Sequence, residues 1–291
     1  HRTRAFLKVQ DGCDYKCSFC TIPLARGKSR SNTISNVIDN VHKIAFKNIK
    51  EIVLTGINLG DFGANSNDSI QYNFFDLVKE LDKLDLNVRF RISSIEPNLL
   101  TDEIIEFIST SKNFVHHFHI PLQSGSDRVL KLMRRRYDSK LYNSRIKMIN
   151  QLMPDACIGV DVIVGFPGED DNEFLESMSF IEDLDISYLH VFKYSERDNT
   201  HAITLPKIVN SKIRTKRSKL LRLLSSRKKA GFYNKNIGTI HQVLFESEDK
   251  NGFIEGFSSN YVRFRRKWDS SLAGNIVESK FTKIDSEGFA I

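Results

Sequence analysis

Strand-like and helix-like segments alternate six times across the first two hundred residues, and this alternation limits the fold more than any other feature. The predicted strands cover residues 6–9, 51–55, 88–92, 116–120, 156–164 and 188–194. Helical spacing of apolar residues predicts helices over 36–46, 74–84, 102–109, 127–134, 140–153 and 173–184. Repeated strand–helix units form a parallel sheet with helices outside it, and their right-handed crossovers favour a curved sheet that approaches a barrel.

Three of the four cysteines lie close together in the loop after the first predicted strand, with the spacing Cys13-x3-Cys17-x2-Cys20. A disulfide would leave one thiol over, and nothing in the sequence indicates secretion. A structural zinc site would need a fourth ligand, from Cys157 or from a histidine. An iron–sulfur cluster can use three thiolates and keep one iron open for another ligand, and the spacing favours this interpretation.

The fourth cysteine and the histidines have simpler interpretations. Cys157 lies in an apolar strand, which predicts a buried core thiol. His116, His117 and His119 alternate between the two faces of a predicted strand, so we interpret this segment as a strand and not as a metal site.

Positive charge is concentrated in one segment. Residues 207–235 contain eleven Lys or Arg and no Asp or Glu, and without them the net charge of +7 becomes −4. Such a local concentration indicates contact with a polyanion. No apolar run reaches the length of a membrane span, no signal peptide is recognisable, and the first residue is His1. We therefore expect no membrane contact and a processed, truncated or engineered chain.

The pattern changes after Pro206. A basic helix is predicted over residues 211–232, with Ile213, Leu220, Leu221 and Leu224 facing the preceding domain. Short strands are then predicted at 242–246, 252–257, 261–264, 275–284 and 288–291, separated by turn residues. Five short strands favour a small antiparallel barrel. The expected domains are residues 1–205, a connecting helix over 206–236, and a terminal barrel over 237–291.

The cysteine spacing, with the aromatic Phe19 before the last cysteine, resembles the signature of the radical S-adenosylmethionine (SAM) enzymes. The flanking segments 6–12 and 21–31 resemble the methylthiotransferases, which add a methylthio group to transfer RNA or to a ribosomal protein. The resemblance covers essentially the whole chain. It implies an α/β fold, with a partial (β/α)6 radical SAM barrel followed by a TRAM domain, a small OB-like antiparallel β-barrel.

The resemblance also implies the cofactors. Cys13, Cys17 and Cys20 would bind a [4Fe–4S] cluster, whose open iron binds SAM and whose electron cleaves SAM to a 5′-deoxyadenosyl radical. No catalytic residue beyond the cluster ligands is assigned. Cofactor contacts are expected after successive strands, at Phe19, Gly56, Asn58, Ser94, Glu96, Gln123, Arg134, Ile163, Gly165 and Phe192. The alternatives are turns that need glycine, a capped loop before a proline, a solvated arginine run and a core phenylalanine.

The expected RNA contacts are basic side chains near the cysteine loop, on the basic helix and in the terminal barrel: Arg26, Arg30, Arg214, Lys216, Arg217, Arg263, Arg265 and Arg266. A solvated basic face is the alternative. The resemblance implies a tRNA anticodon stem-loop as partner, a flavodoxin- or ferredoxin-like electron donor, a monomer and a cytoplasmic location.

Three segments, 8–12, 91–97 and 133–137, resemble the branch that acts on C2 of N6-threonylcarbamoyladenosine beside the anticodon. The family also has an N-terminal domain with three more cysteines and a second [4Fe–4S] cluster, which supplies sulfur. This chain contains no such cysteines, so the expectation is cleavage of SAM without sulfur insertion. The alternatives are another branch (isopentenyladenosine tRNA or a ribosomal protein), a radical SAM enzyme with a different substrate, and an RNA-binding protein with a structural metal.

Overall fold

Strands and helices alternate along the first two hundred residues of the computed structural model, which describes residues 3–64 and 71–291. In chain order the strands are β1 Arg4–Lys8, β2 Gln10–Asp11, β3 Arg30–Ser31, β4 Glu51–Thr55, β5 Arg89–Ile92, β6 His117–His119, β7 Cys157–Val164, β8 Tyr188–Lys193, β9 Ile240–Phe245, β10 Phe253–Ser258, β11 Arg263–Lys267 and β12 Ile276–Lys280. The helices are α1 Ile22–Arg26, α2 Ile34–Ala45, α3 Phe74–Asp82, α4 Asp102–Thr110, α5 Asp127–Leu132, α6 Ser139–Leu152, α7 Asp171–Asp183 and α8 Ser211–Asn236. None of the helices among these residues is long and apolar enough to cross a membrane.

Six parallel strands form the framework that the alternating pattern predicted. β4 pairs with β1 and β5, and β7 pairs with β6 and β8. A parallel bridge between Phe90 and Phe114 connects the two groups of three. Within the described residues no pairing joins β1 to β8, so both strands have a free edge and the arrangement is open between them.

The two faces of this sheet differ in composition. Ile52, Leu54, Ile158, Val160 and Val162 point toward the helices and are buried in one large core. Fully burying such a side chain stabilises the fold by about 1.5–3 kcal/mol. Alternation puts the remaining strand residues on the other face, which we call the inner face. This inner face carries charged and polar side chains, and it is where a ligand would meet the sheet.

Side chains fix where several helices begin. Asn73 and Asp170 form capping boxes at the starts of α3 and α7, and Asn210 accepts the N–H of Lys212 at the start of α8. Each such cap satisfies N–H groups that have no partner within the helix, and each contributes about 1 kcal/mol. The predicted helices are therefore confirmed, with ends shifted by a few residues.

The long basic helix α8 packs on β8, but with a different seam from the one predicted. Leu221 and Leu224 are buried as expected, whereas Ile213 and Leu220 are exposed. The other buried positions of the first turns are Arg214, Arg217 and Ser218, so the seam combines two arginines and a serine with two leucines. Apolar residues alone therefore did not identify the buried face.

The terminal residues form an open sheet in place of the predicted closed barrel. The strand order is β11-β10-β9-β12, all antiparallel, and no sheet among the described residues is closed. Where a fifth strand was expected, only Ala290 forms bridges, to Phe264 and to Ile284. Single bridges do not continue a ladder, so the barrel that the sequence predicted is not confirmed.

The terminal sheet lies against the N-terminal ends of the parallel strands. The Arg89 guanidinium donates to the carbonyl oxygens of Gln242 and Phe257, each at 2.9 Å. The Arg91 guanidinium lies over the Tyr261 ring, 4.6 Å from its centroid. Glu51 accepts from Arg89 at 2.7 Å and from Arg91 at 3.0 Å. This ion-paired floor closes one end of the inner face and leaves the C-terminal end of the strands for a ligand.

Candidate cofactor site

The cysteine loop lies at the C-terminal end of β1, beside the ends of the other parallel strands. Cys13, Cys17 and Cys20 are partly exposed and form no disulfide. The loop begins at Gly12, which has a φ of +71°, and a Cβ there would lie 2.0 Å from the Lys28 carbonyl oxygen. Only glycine fits this conformation and this contact.

Backbone hydrogen bonds hold the loop in place. The N–H of Cys13 donates to the Gly27 carbonyl at 3.1 Å, and the N–H of Ser18 donates to the Met133 carbonyl at 3.0 Å. The Ser18 carbonyl accepts from the N–H of Ala202 at 2.7 Å. The loop is therefore fixed on both sides by segments far away in the sequence.

The donor set fits an iron–sulfur cluster better than a single zinc ion. Two thiolates on one zinc ion lie at most about 4.6 Å apart, twice the Zn–S bond length. Among the described residues the three sulfur atoms do not all lie within 4.8 Å of one another. Cys157 is buried at the opposite end of the sheet, as the first residue of β7, so it is not a fourth ligand. Three soft thiolates with wider spacing match a multi-iron cluster.

Arg135, and not the predicted Arg134, faces the cysteines. Its Nη1 donates to the Cys17 sulfur at 3.1 Å, its Nη2 donates to Glu96, and its side chain is 4% exposed. Arg134 is exposed and has a φ of +58°, which turns the chain after α5 so that the next residue points inward. Burial raises the pKa of the Cys17 thiol, and the Arg135 charge opposes that rise. The guanidinium is therefore placed to stabilise thiolate charge.

Gln10, which the sequence did not single out, joins two parts of the site. Its Oε1 accepts the N–H groups of Ile57 and Asn58, each at 2.9 Å. Its Nε2 donates to the Gly12 carbonyl at 2.8 Å. A Cβ at Gly56 would lie 2.9 Å from the same Oε1, so glycine is needed there for this contact. The sequence offers one indication of this role: Gln10 is a single amide side chain between the first predicted strand and the Asp-Gly that precedes Cys13.

Asn58 lies at this joint with an unsatisfied oxygen. Its Nδ2 donates to Asp61 at 2.6 Å, while its buried Oδ1 has no hydrogen-bond partner. Burial raises the pKa of Asp61. A buried acceptor without a partner costs free energy, and a ligand N–H group would satisfy it. The residues predicted after β4 therefore fit the amino group of an amino-acid-like cofactor.

Ser94, Glu96 and Gln123 lie at the same end of the sheet. Ser94 and Glu96 follow β5 and are partly exposed, and Glu96 pairs with Arg135. Gln123 has a φ of +67°; its N–H donates to the Asp161 carbonyl at 2.8 Å, and its own carbonyl accepts from Ile163 at 2.9 Å. These bonds keep the segment after β6 beside β7.

Phe19 and Ile163 border one apolar cluster beside the cysteine loop. The cluster is built on Phe166 and Tyr194, and the Phe19 and Phe166 rings meet edge-on at 6.2 Å. Phe192, on the inner face of β8, is half-exposed. These side chains offer the apolar surface that a bound adenine ring requires.

The N–H of Gly165, a predicted cofactor contact, already has a partner within the protein. Its N–H donates to the Glu169 carboxylate, so it is not available for a cofactor. Its φ is +74°, and a Cβ there would lie 2.3 Å from Cγ of Arg214. Glycine is required here because the Arg214 side chain passes over it.

Two predicted RNA contacts are buried inside the protein. Arg214 is 7% exposed and donates to the carbonyls of Val209 and Tyr194 and to Glu196. Arg217 is 4% exposed and donates to the Glu169 carboxylate at 2.9 Å. These arginines attach α8 to the strand ends, so the prediction that they contact RNA is not supported.

The other predicted RNA contacts remain at the surface to different degrees. Arg26 and Arg30 are exposed beside the cysteine loop and share Asp11 as an ion-pair partner. Lys216 is exposed on α8. Arg263 and Arg265 both pair with Glu255, while Arg266 lies over the Phe245 ring at 5.7 Å.

Known proteins resemble this chain in sequence and in fold. The Radical SAM superfamily model matches residues 7–181. A protein named threonylcarbamoyladenosine tRNA methylthiotransferase MtaB, of Bacillus subtilis (strain 168), is 40% identical over 97% of this chain and 63% of its own length. A tRNA-2-methylthio-N(6)-dimethylallyladenosine synthase of Bacillus pumilus (strain SAFR-032) is 33% identical over 97% of this chain and 56% of its own length. The chain thus spans less than two thirds of the length of either relative.

Among solved structures, the radical S-adenosylmethionine methyltransferase TsrM from Kitasatospora setae, with cobalamin and a [4Fe-4S] cluster bound, has a similar fold. The TM-score is 0.55 at 14% identity, and the match covers 65% of this chain and 34% of that one. At this identity the likeness concerns the fold alone.

Proposed function

This chain belongs to the radical SAM superfamily, and on that basis we propose that it is the SAM-cleaving and RNA-binding part of a tRNA methylthiotransferase. The observation that carries the proposal is the anchored loop with three unbridged thiols, one of which accepts a hydrogen bond from the buried Arg135. The cofactors of the superfamily are a [4Fe–4S] cluster and SAM.

Bound together, these cofactors supply a carbon-centred radical by one-electron cleavage of SAM. Cys13, Cys17 and Cys20 hold the cluster, and Arg135 stabilises the negative charge of their thiolates. Gln10 fixes the turn after β4 relative to the cysteine loop. It would therefore hold the residues for the amino-acid end of SAM at a constant distance from the cluster. The protein thus provides binding and orientation, which is its usual share in cofactor chemistry.

Polar side chains would bind the amino group and the ribose of SAM, and apolar side chains would bind its adenine. Asn58 and Asp61 receive the amino group, because one is an unsatisfied acceptor and the other a carboxylate. Ser94 and Gln123 would form hydrogen bonds to ribose hydroxyls, and Phe19 with Ile163 would cover the adenine. The apolar cluster also keeps water from the radical.

The proposed target is C2 of N6-threonylcarbamoyladenosine beside the tRNA anticodon. The 40% identity to the MtaB relative supports this branch. The dimethylallyladenosine branch is the second candidate, because a relative with that name is 33% identical over the same share of the chain. The family's sulfur donor is a second cluster in an N-terminal domain, which this chain would need for the complete reaction.

The proposed RNA surface combines exposed or partly exposed basic side chains from three places. Lys216 lies on the outer face of α8, and Arg266 lies on the terminal sheet. Arg26 and Arg30 lie beside the cysteine loop. Their charge supports binding of phosphates. We propose the domain limits 1–205, 206–236 and 237–291, the last one TRAM-like in role. We also propose a monomer in the cytoplasm that receives electrons from a flavodoxin- or ferredoxin-like protein.

The test is anaerobic reconstitution with iron and sulfide, followed by reduction with SAM present. We expect 5′-deoxyadenosine from the wild-type chain and none from Cys17→Ala. Cys157→Ala is the matched control, since that thiol is buried at the far end of the sheet, and it should retain the activity. A chain that incorporates zinc in place of iron and forms no 5′-deoxyadenosine would contradict the proposal.

A further inference from the structure

Three polar side chains from neighbouring strands meet on the inner face, away from the cysteine loop. The Nε2 of His119 in β6 lies 3.1 Å from Oδ1 of Asp161 in β7, and the Nδ1 of His190 in β8 lies 3.5 Å from the same oxygen. Asp161 and His190 are direct partners in the β7–β8 register. The His119 side chain is 14% exposed, that of Asp161 is 23% exposed and that of His190 is 54% exposed. His190 is therefore the residue of the three that a ligand can contact most easily.

The charges within this cluster favour a protonated His190. Its pKa is raised by the hydrogen bond to Asp161, which outweighs the effect of burial. Burial alone would raise the pKa of Asp161, but His119 and His190 outweigh it and lower the pKa to about 2. Asp161 therefore holds the ring of His190 through Nδ1 and leaves Nε2 as a second, outward donor.

His190 also lines a cavity of about 330 Å³ between β8, α8 and the terminal sheet. Aromatic rings form much of its wall, including Tyr188 and Tyr261, and Lys229 brings positive charge. Arg263 also lines the cavity, with its guanidinium paired to Glu255 at 2.6 Å. No Asp or Glu is among the described residues that line it. A cavity with rings and cations but no carboxylate is suited to a planar or apolar group that carries an anion.

β8 connects the cavity to the proposed site of chemistry, because His190 and Phe192 lie on the same strand. His190 precedes Phe192 by two residues on the same face, so it lies roughly 6–7 Å closer to the floor. Both residues belong to β8, whose free edge borders the opening between β1 and β8. A target base that lies beside the cofactor at this end of β8 would have His190 within reach of a substituent roughly 6–7 Å long.

We propose that His190, oriented by Asp161, binds the carboxylate of the N6 substituent on the target adenosine. The inference rests on the proposed function and names the group that selects the substrate. A threonylcarbamoyl substituent places its carboxylate roughly 5–6 Å from N6, by ordinary bond lengths, which matches the step from Phe192 to His190. A dimethylallyl substituent carries no charge and has no hydrogen-bond acceptor for the His190 ring.

The test measures discrimination between two RNAs by the reconstituted chain in the presence of SAM. The probes are one anticodon stem-loop with N6-threonylcarbamoyladenosine and the same stem-loop with unmodified adenosine, and fluorescence anisotropy gives both Kd values. We expect the wild-type chain to bind the modified RNA about tenfold more tightly, the size of one charge-assisted hydrogen bond. His190→Gln should bring the Kd ratio close to one, and His190→Lys should restore part of it.

His116→Ala is the matched control, because His116 pairs with Asp155 outside the inner face and should leave the ratio unchanged. An equal ratio for wild type and His190→Gln, or no discrimination by the wild type, overturns the inference. Discrimination that disappears with EDTA and returns with zinc also overturns it, in favour of a metal held by the same three side chains. Formation of 5′-deoxyadenosine is measured separately without RNA, so failure of the proposed function is seen independently.

Discussion

Arg135 donates a hydrogen bond to the sulfur of Cys17 across 3.1 Å and also pairs with Glu96. Its side chain is almost wholly buried, so the charge acts in a medium that screens it weakly. The contact connects the end of α5 to the middle cysteine of the loop. It gives the site a cation beside its thiols before any cofactor is bound.

Replacement of Arg135 by Ala should impair cluster assembly. Without the guanidinium, Cys17 loses its stabilising charge, and Glu96 loses its ion-pair partner. We expect at least about a tenfold loss of 5′-deoxyadenosine formation, as for other charge-assisted hydrogen bonds, together with lower iron and sulfide content per chain. Arg134→Ala is the matched control, since Arg134 is the adjacent residue and its side chain is exposed. Equal iron content in the two variants would contradict this role for Arg135.

The ion-paired floor should make stability fall in acid. Burial alone would raise the pKa of Glu51, but Arg91 and Arg89 outweigh it and lower the pKa to about 2, from 4.5. A lowered pKa in the folded state means that the stabilisation is complete above pH 4.5 and is lost as the pH falls toward 2. The shift corresponds to about 3 kcal/mol. Urea unfolding between pH 7 and 3 should record about 2 kcal/mol of this loss.

Glu51→Gln is the variant that isolates this contribution. It should lower the free energy of unfolding at pH 7 by about 3–5 kcal/mol, because two buried guanidinium groups lose their counter-charge. Its stability should then change less with pH over the same interval than that of the wild type. A wild-type curve that is as flat as that of Glu51→Gln would show that the floor carries no such linkage.

Gly12 should be intolerant of any side chain. At a φ of +71°, a Cβ would meet the Lys28 carbonyl oxygen at 2.0 Å, so Gly12→Ala has to move the backbone that carries Cys13. We expect a loss of at least about 1–2 kcal/mol in unfolding free energy from the backbone conformation alone, and lower cluster content. Gly238→Ala is the control, with a φ of +92° but open space around it. If both variants assemble the cluster equally, the close contact at Gly12 is not limiting.

The parallel strands could be predicted because their alternation and apolar content are local properties. The helices followed from apolar residues at helical spacing, which is also a local property. The inner-face cluster could not be predicted, because His119, Asp161 and His190 are distant in sequence and meet only through the β6–β7–β8 pairing. The prediction that the histidine segment forms a strand is confirmed, because β6 covers His117–His119.

Long-range ion pairs explain why two arginines that were predicted to contact RNA are buried. Arg214 and Arg217 resemble surface charges in the basic run, but Glu196 and Glu169 neutralise them from loops earlier in the chain. The choice between Arg134 and Arg135 depended on one residue with positive φ, which the sequence does not reveal. A charged run can therefore be located from composition, while its buried members require the fold.

The outer face of α8 provides the last prediction, which concerns RNA affinity. Lys212, Lys216 and Lys219 are exposed and lie three or four residues apart, so they share one side of the helix. Replacing all three by Ala should weaken binding of an anticodon stem-loop. The slope of log Kd against log salt should decrease by about 0.7–0.9 for each phosphate that the variant no longer neutralises.

A triple variant at Lys43, Lys47 and Lys83 is the matched control, because these exposed lysines lie in or just after α2 and α3 and remove the same net charge. It should leave the salt slope close to the wild-type value. Arg214→Ala should behave differently from both triple variants: it should lower the unfolding free energy, because Glu196 and two carbonyls lose a buried donor. Equal loss of RNA affinity in the two triple variants would mean that net charge, and not the α8 face, governs binding.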